Sequence, residues 1–129
     1  MAPLDLMRRY LDAARRGDWE TGSSFFSEDI VLHVPGRSAL AGEHRGRDAA
    51  LAYIDAALER THGGVEVELI DMLAGEEHVA LVVRERFKRE DGELEIRRAN
   101  VYRIRGDEIA EVWIFEGDQY AVDELFAED

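Results

Sequence analysis

The sequence contains no cysteine, which excludes a disulfide framework and thiolate chemistry. Proline is almost as scarce, with only Pro3 and Pro35, and no internal repeat, low-complexity tract or linker is visible. A single domain over residues 1–129 is therefore expected. No apolar run approaches the roughly 18 residues of a membrane span. The first residues, MAPLDLMRRYLDAARRGD, carry charges where a signal peptide needs an apolar stretch, so a cytoplasmic protein is expected. Positive charge is also short. Sixteen Lys and Arg stand against 29 Asp and Glu, a net charge of −13. Such a surface repels phosphate backbones and anionic lipid heads, so neither nucleic acid nor membrane is an expected partner. Metal binding has little support, because His33, His44, His62 and His78 fall into no helical ligand spacing. The serines lack a nucleophile-elbow context, and GEHRGRD lacks the Lys-Ser/Thr of a phosphate cradle.

What is present is a globular composition, 46% hydrophobic, in two periodic halves. Met7, Tyr10, Leu11 and Ala14 recur at helical spacing and predict a helix over 4–16, closed by Gly17. Asp18 is placed to cap a short second helix bearing Trp19, Phe25 and Phe26. A strand at 30–34 runs into the loop HVPGRSALAG, and a third helix is expected over 48–61, ended by Gly63-Gly64. The period then becomes alternating, predicting strands near 65–74, 78–89, 94–105 and 108–116 and a short helix from Asp118 to Phe126. Helices followed by an antiparallel meander define an α+β fold with the helices on one face of the sheet.

Turns at Asp91-Gly92 and Gly106-Asp107 would fix the register of the last three strands. Phe87 would then face Ile96, Glu85 Arg98, Val83 Asn100 and Leu81 Tyr102; across the second turn, Arg98 would face Phe115, Asn100 Trp113 and Tyr102 Glu111. One apolar face would thus hold five polar groups: Glu85, Arg98, Asn100, Tyr102 and Glu111. Either they pair with one another, Glu85 with Arg98 and Tyr102 with Glu111, or they converge in a concave ligand pocket. The opposite side of the last strand, Ala110, Val112 and Ile114, is also apolar and predicts a cover, most simply a second subunit.

The order RRYLDAARRGDWETGSSFFSEDIVLHVPG, GEHRGRDAALAYI, YRIRGDEIAEVW and DQYAVDELF resembles the nuclear transport factor 2-like superfamily, with its ketosteroid isomerases and SnoaL-like polyketide cyclases. The resemblance implies a cone-shaped, cystatin-like fold in which N-terminal helices and a strongly curved antiparallel sheet enclose a pocket, commonly in a homodimer. It also implies a small hydrophobic, carbonyl-containing ligand and acid/base chemistry without a cofactor. Tyr10 is similar to the isomerases' first-helix tyrosine, and Asn100 sits where their oxyanion-hole acid would be. Their proton-shuttling Asp precedes a proline, but the residue before Pro35 is Val34. That leaves His33, Glu111, whose pKa burial would raise, and Asp118 as candidate bases. Trp19, Phe26, Tyr53, Glu85, Arg98, Tyr102, Trp113 and Phe115 are the expected ligand contacts. The alternative is a non-catalytic dimeric binding or scaffold module, as Val34 would suggest.

Overall fold

The computed structural model describes residues 1–61, 65–89 and 92–127. α1 (Pro3–Arg15) puts Pro3 in its first turn, where a backbone N–H has no helical acceptor, and ends at Gly17 with φ of 70°. Its buried stripe is Leu6, Met7, Tyr10 and Ala13. Leu11 and Ala14, expected on that stripe, are only half-buried. Full burial of an apolar side chain such as Leu6 stabilises by about 1.5–3 kcal/mol. Asp18 caps α2 (Trp19–Ser23), accepting from the Thr21 N–H at 3.1 Å.

Phe26 is not helical. It opens β1 (Phe26–Val34), which starts four residues before the expected 30–34 strand. A short strand not expected from the sequence, β2 (Gly42–Arg45), pairs with β1 and leads into α3 (Arg47–Arg60). The helix stop at Gly63-Gly64 lies outside the described residues. β3 (Val65–Ala74), β4 (His78–Arg89), β5 (Gly92–Arg105) and β6 (Glu108–Glu116) form the meander, and α4 (Gln119–Leu125) closes the chain. The sheet order is β2-β1-β6-β5-β4-β3, antiparallel except for β1 beside β6. This is the expected α+β cone: a six-stranded sheet that does not close, with α1 against β3 and β4 and α3 against β1 and β2.

Two registers differ from expectation, with different consequences. β4 and β5 slip by two residues, so Phe87 faces Leu94, Glu85 Ile96, Val83 Arg98 and Leu81 Asn100. A two-residue slip keeps every side chain on its face. The turn itself, with Asp91, lies outside the described residues. Between β5 and β6 the pairing starts as expected, with Ile104 facing Ile109, then jumps so that Arg103 faces Glu111. Ala110 is the extra residue of a β-bulge, and beyond it the faces exchange. Val112, Ile114 and Glu116 point inward with Tyr102, Asn100 and Arg98; Glu111, Trp113 and Phe115 point outward.

The loop after β1 is clasped to α4. Asp123 Oδ1 accepts from the Arg37 N–H at 3.0 Å, and Gln119 Nε2 donates to the Pro35 carbonyl at 3.4 Å. Gly36 sits beneath this clasp at φ of 97°, and a Cβ there would run into the Asp123 and Gln119 side chains. Gly36→Ala is expected to destabilise the fold by about 1–3 kcal/mol, read as a lower urea midpoint with unchanged slope.

Candidate functional site

The helices and the inner face of the sheet enclose a cavity of about 640 Å³. Tyr10 of α1, Trp19 of α2, Phe26 of β1 and Tyr53 of α3 line it from one side. Glu85 of β4 and Arg98, Asn100 and Tyr102 of β5 line it from the other. Eight of the expected site residues are thus brought together.

Three of these are tyrosines. The Tyr10 ring packs against Trp19, Phe26 and Tyr102, with centroids 6.2, 5.7 and 5.9 Å away. Burial raises the pKa of Tyr10, with smaller contributions from Tyr102 and Tyr53. Burial likewise raises Tyr53 and Tyr102, so all three phenols keep their protons and can donate. For Tyr102 the neighbouring Asn100 amide partly offsets the rise. The other heteroatom of that amide, Asn100 Oδ1, is buried without a partner among the described residues.

Two charged residues of the wall, Glu85 and Arg98, belong to a three-membered cluster. Arg98 donates from Nη1 to Glu85 Oε2 and from Nε to Glu116 Oε1, both at 2.7 Å. Glu116 is its direct cross-strand partner on β6; Glu85 reaches it diagonally from β4. Side-chain exposures of 12%, 9% and 2% for Glu85, Arg98 and Glu116 make this a buried network. Burial raises the pKa of Glu85, with Arg98 opposing and Glu116 reinforcing the rise. Burial disfavours the Arg98 charge, but its two carboxylates win and raise its pKa. The sequence pointed to Glu85 and Arg98 but missed Glu116, which the Ala110 bulge turns inward.

The remaining expected residues do not reach the cavity. His33 lies on the outer face, as plain strand alternation requires, with its ring stacked on Trp113 at 5.4 Å and 8°. Its Nε2 donates to Glu111 Oε2 at 2.5 Å, and Arg103 Nε donates to Glu111 Oε1 at 3.3 Å. Glu111 therefore pairs with His33 and Arg103 rather than with Tyr102. Its pKa is lowered by the His33 hydrogen bond first and by Arg103, the reverse of the expected rise. Trp113 and Phe115 face outward past the bulge, and Phe115 is 55% exposed. Asp118 caps α4 through the Ala121 N–H at 3.1 Å. Among the described residues no group of His, Asp and Glu could hold a metal ion, and no helix is long and apolar enough to cross a membrane.

The same architecture recurs in solved structures. A cystatin-like protein of unknown function from Xanthomonas campestris superposes with a TM-score of 0.92 at 26% identity, over 99% of this chain and 100% of that one. Bal32a, from a soil-derived mobile gene cassette, matches with a TM-score of 0.89 at 27% identity, over 95% of each chain. An uncharacterized protein of Mycobacterium tuberculosis is 33% identical over 127 residues, 98% of this chain and 97% of that one. The SnoaL-like domain model matches residues 7–112, and the chain belongs to that family.

Proposed function

We propose that this SnoaL-like domain binds a small hydrophobic molecule with a carbonyl group in its cavity and moves a proton on it without a cofactor, as an isomerase or cyclase does. The observation that carries this reading is the convergence of the Tyr10 and Tyr102 phenols and the Asn100 amide on one largely apolar cavity. Buried donors held protonated are suited to the negative charge that grows on a carbonyl oxygen as a neighbouring proton leaves. Asn100 supports this through Tyr102, whose hydroxyl it leaves free to donate.

β-Naphthol, an apolar bicycle whose oxygen mimics an enolate, is the probe. Its fluorescence is expected to saturate with the protein, and the melting temperature to rise with ligand excess as mass action requires. Tyr102→Phe should weaken that binding. A melting temperature unmoved by excess naphthol would sink the proposal.

The second reading, a dimeric binding or scaffold module without turnover, is favoured by Val34 before Pro35 and by the outer face of the sheet. One continuous cross-strand row there runs Leu73, Ala80, Val101, Trp113, beside a second of Val82, Ala99 and Phe115. Two of the flanking arginines are already neutralised, Arg84 by Glu68 and Glu95 and Arg103 by Glu111, which lowers the cost of covering this face with a second copy. A homodimer through it belongs to either reading. Phe115→Asp is expected to halve the mass seen by light scattering at micromolar concentration; a wild-type mass of one chain at every concentration would exclude the dimer.

A further inference from the structure

Proton transfer in the cavity needs a base, and none of the first candidates supplies one. Val34 has no proton to exchange, His33 and Glu111 are on the outer face, and Asp118 caps a helix. Among the described residues two carboxylates line the cavity, Glu66 and Glu85, and Glu66 is an exposed residue. Glu116 does not line it and is held on the far side of the cluster by Arg98 Nε.

Glu85 and Glu116 are not equivalent. One guanidinium faces two carboxylates, so the cluster carries a net charge of −1 when both are ionised. Glu116 is the nearer partner in register and the more deeply buried, at 2% exposure. Glu85 offers Arg98 only Oε2; its Oε1 has no hydrogen-bond partner among the described residues. The charged and titratable groups facing Glu85 are Arg98 and Tyr102 of β5, Glu116 of β6 and Tyr53 of α3. Val67, opposite it on β3, brings no charge.

We propose that Glu85 is the catalytic base of this cavity and that Glu116 is a positioning residue, which holds Arg98 and keeps Glu85 from being fully neutralised. The inference rests on the reading of the cavity as a carbonyl site. Glu85 Oε1 takes a proton from the carbon beside the ligand's carbonyl. That C–H bond breaks, its electron pair forms the carbon–carbon double bond of an enolate, and the charge on oxygen is met by the Tyr10 and Tyr102 hydroxyls. The protonated Glu85 then returns the proton to the same carbon or to a conjugated one, so no oxidant, reductant or metal is consumed. A net negative cluster in the wall disfavours carboxylate ligands, so the substrate class is a neutral enolisable ketone. The raised pKa of Glu85 suits this work, because a base poised nearer neutrality abstracts a carbon-bound proton faster.

The test follows proton-for-deuterium exchange at the acidic carbon of β-tetralone in heavy water by NMR, with β-naphthol affinity as a second readout. Wild type should exchange above the buffer rate. Glu85→Gln should exchange about a hundredfold more slowly while naphthol still saturates it, and Glu85→Asp should recover part of the rate. Glu116→Gln leaves Glu85 in a one-to-one pair with Arg98, so the pH profile should move to lower pH with a lower plateau. Wild-type exchange in Glu85→Gln, or an unmoved profile in Glu116→Gln, would overturn the inference and leave the carbonyl site standing. A wild type that exchanges no faster than buffer overturns the turnover reading and this inference together.

Discussion

Arg98→Met is expected to destabilise the fold by about 3–5 kcal/mol at neutral pH, because it leaves two buried carboxylates facing each other with no countercharge. Glu85 lies in the cavity wall and Glu116 behind it, and the guanidinium is their shared donor. The methionine chain keeps most of the volume of the Arg98 stem, so the loss reports the guanidinium charge, including its place 5.7 Å over the Phe87 ring, and not volume. Acid should relieve it, since protonated carboxyls can hydrogen-bond to each other. The sign for the native cluster follows from Glu85. Its pKa is raised in the fold, so its contribution to stability is complete below the unfolded carboxyl pKa and is lost as pH rises through the folded one. Urea unfolding of both proteins at two pH values checks this. Replacing the whole cluster, Glu85→Gln with Arg98→Met and Glu116→Gln, should recover most of the loss. A loss under about 1 kcal/mol for Arg98→Met would mean the cluster is hydrated and behaves as a surface pair.

Asn100→Leu is expected to slow β-tetralone exchange by about a hundredfold or more and to leave the melting temperature unchanged or higher. The two effects have separate causes. The amide restrains the pKa of the Tyr102 phenol, and without it Tyr102 becomes a weaker donor to the growing oxyanion. The unpartnered Oδ1 costs stability in the free protein, about 1–3 kcal/mol for a buried acceptor, and leucine removes that penalty at similar volume. A variant that is less stable and fully active would show that Asn100 serves packing alone.

Much of this site can be read in the sequence, for identifiable reasons. Helical spacing places Tyr10 on the buried stripe of α1, and Asp18 announces the helix it caps. Strand parity keeps Glu85, Arg98, Asn100 and Tyr102 on one face, and a two-residue error in the β4–β5 turn could not disturb it. The β5–β6 bulge is different. On EIAEVWIFE both parities are apolar, with Ile109, Trp113 and Phe115 on one and Ala110, Val112 and Ile114 on the other. Nothing local chooses between them, and one extra residue moves Glu116 into the core and Glu111 out to His33. The second apolar side was itself the warning sign. It marked a strand buried on one face and apolar on the other, although the identity of the two faces was reversed. β2 escaped notice because its four residues, GEHR, have too little pattern to register as a strand.

Wild-type exchange of β-tetralone in heavy water, with β-naphthol as competitor, tests directly whether this cavity is catalytic. Exchange above the buffer rate is expected, suppressed by naphthol in proportion to its occupancy of the cavity. Exchange at the buffer rate with naphthol bound would contradict it and leave a binding module in its place.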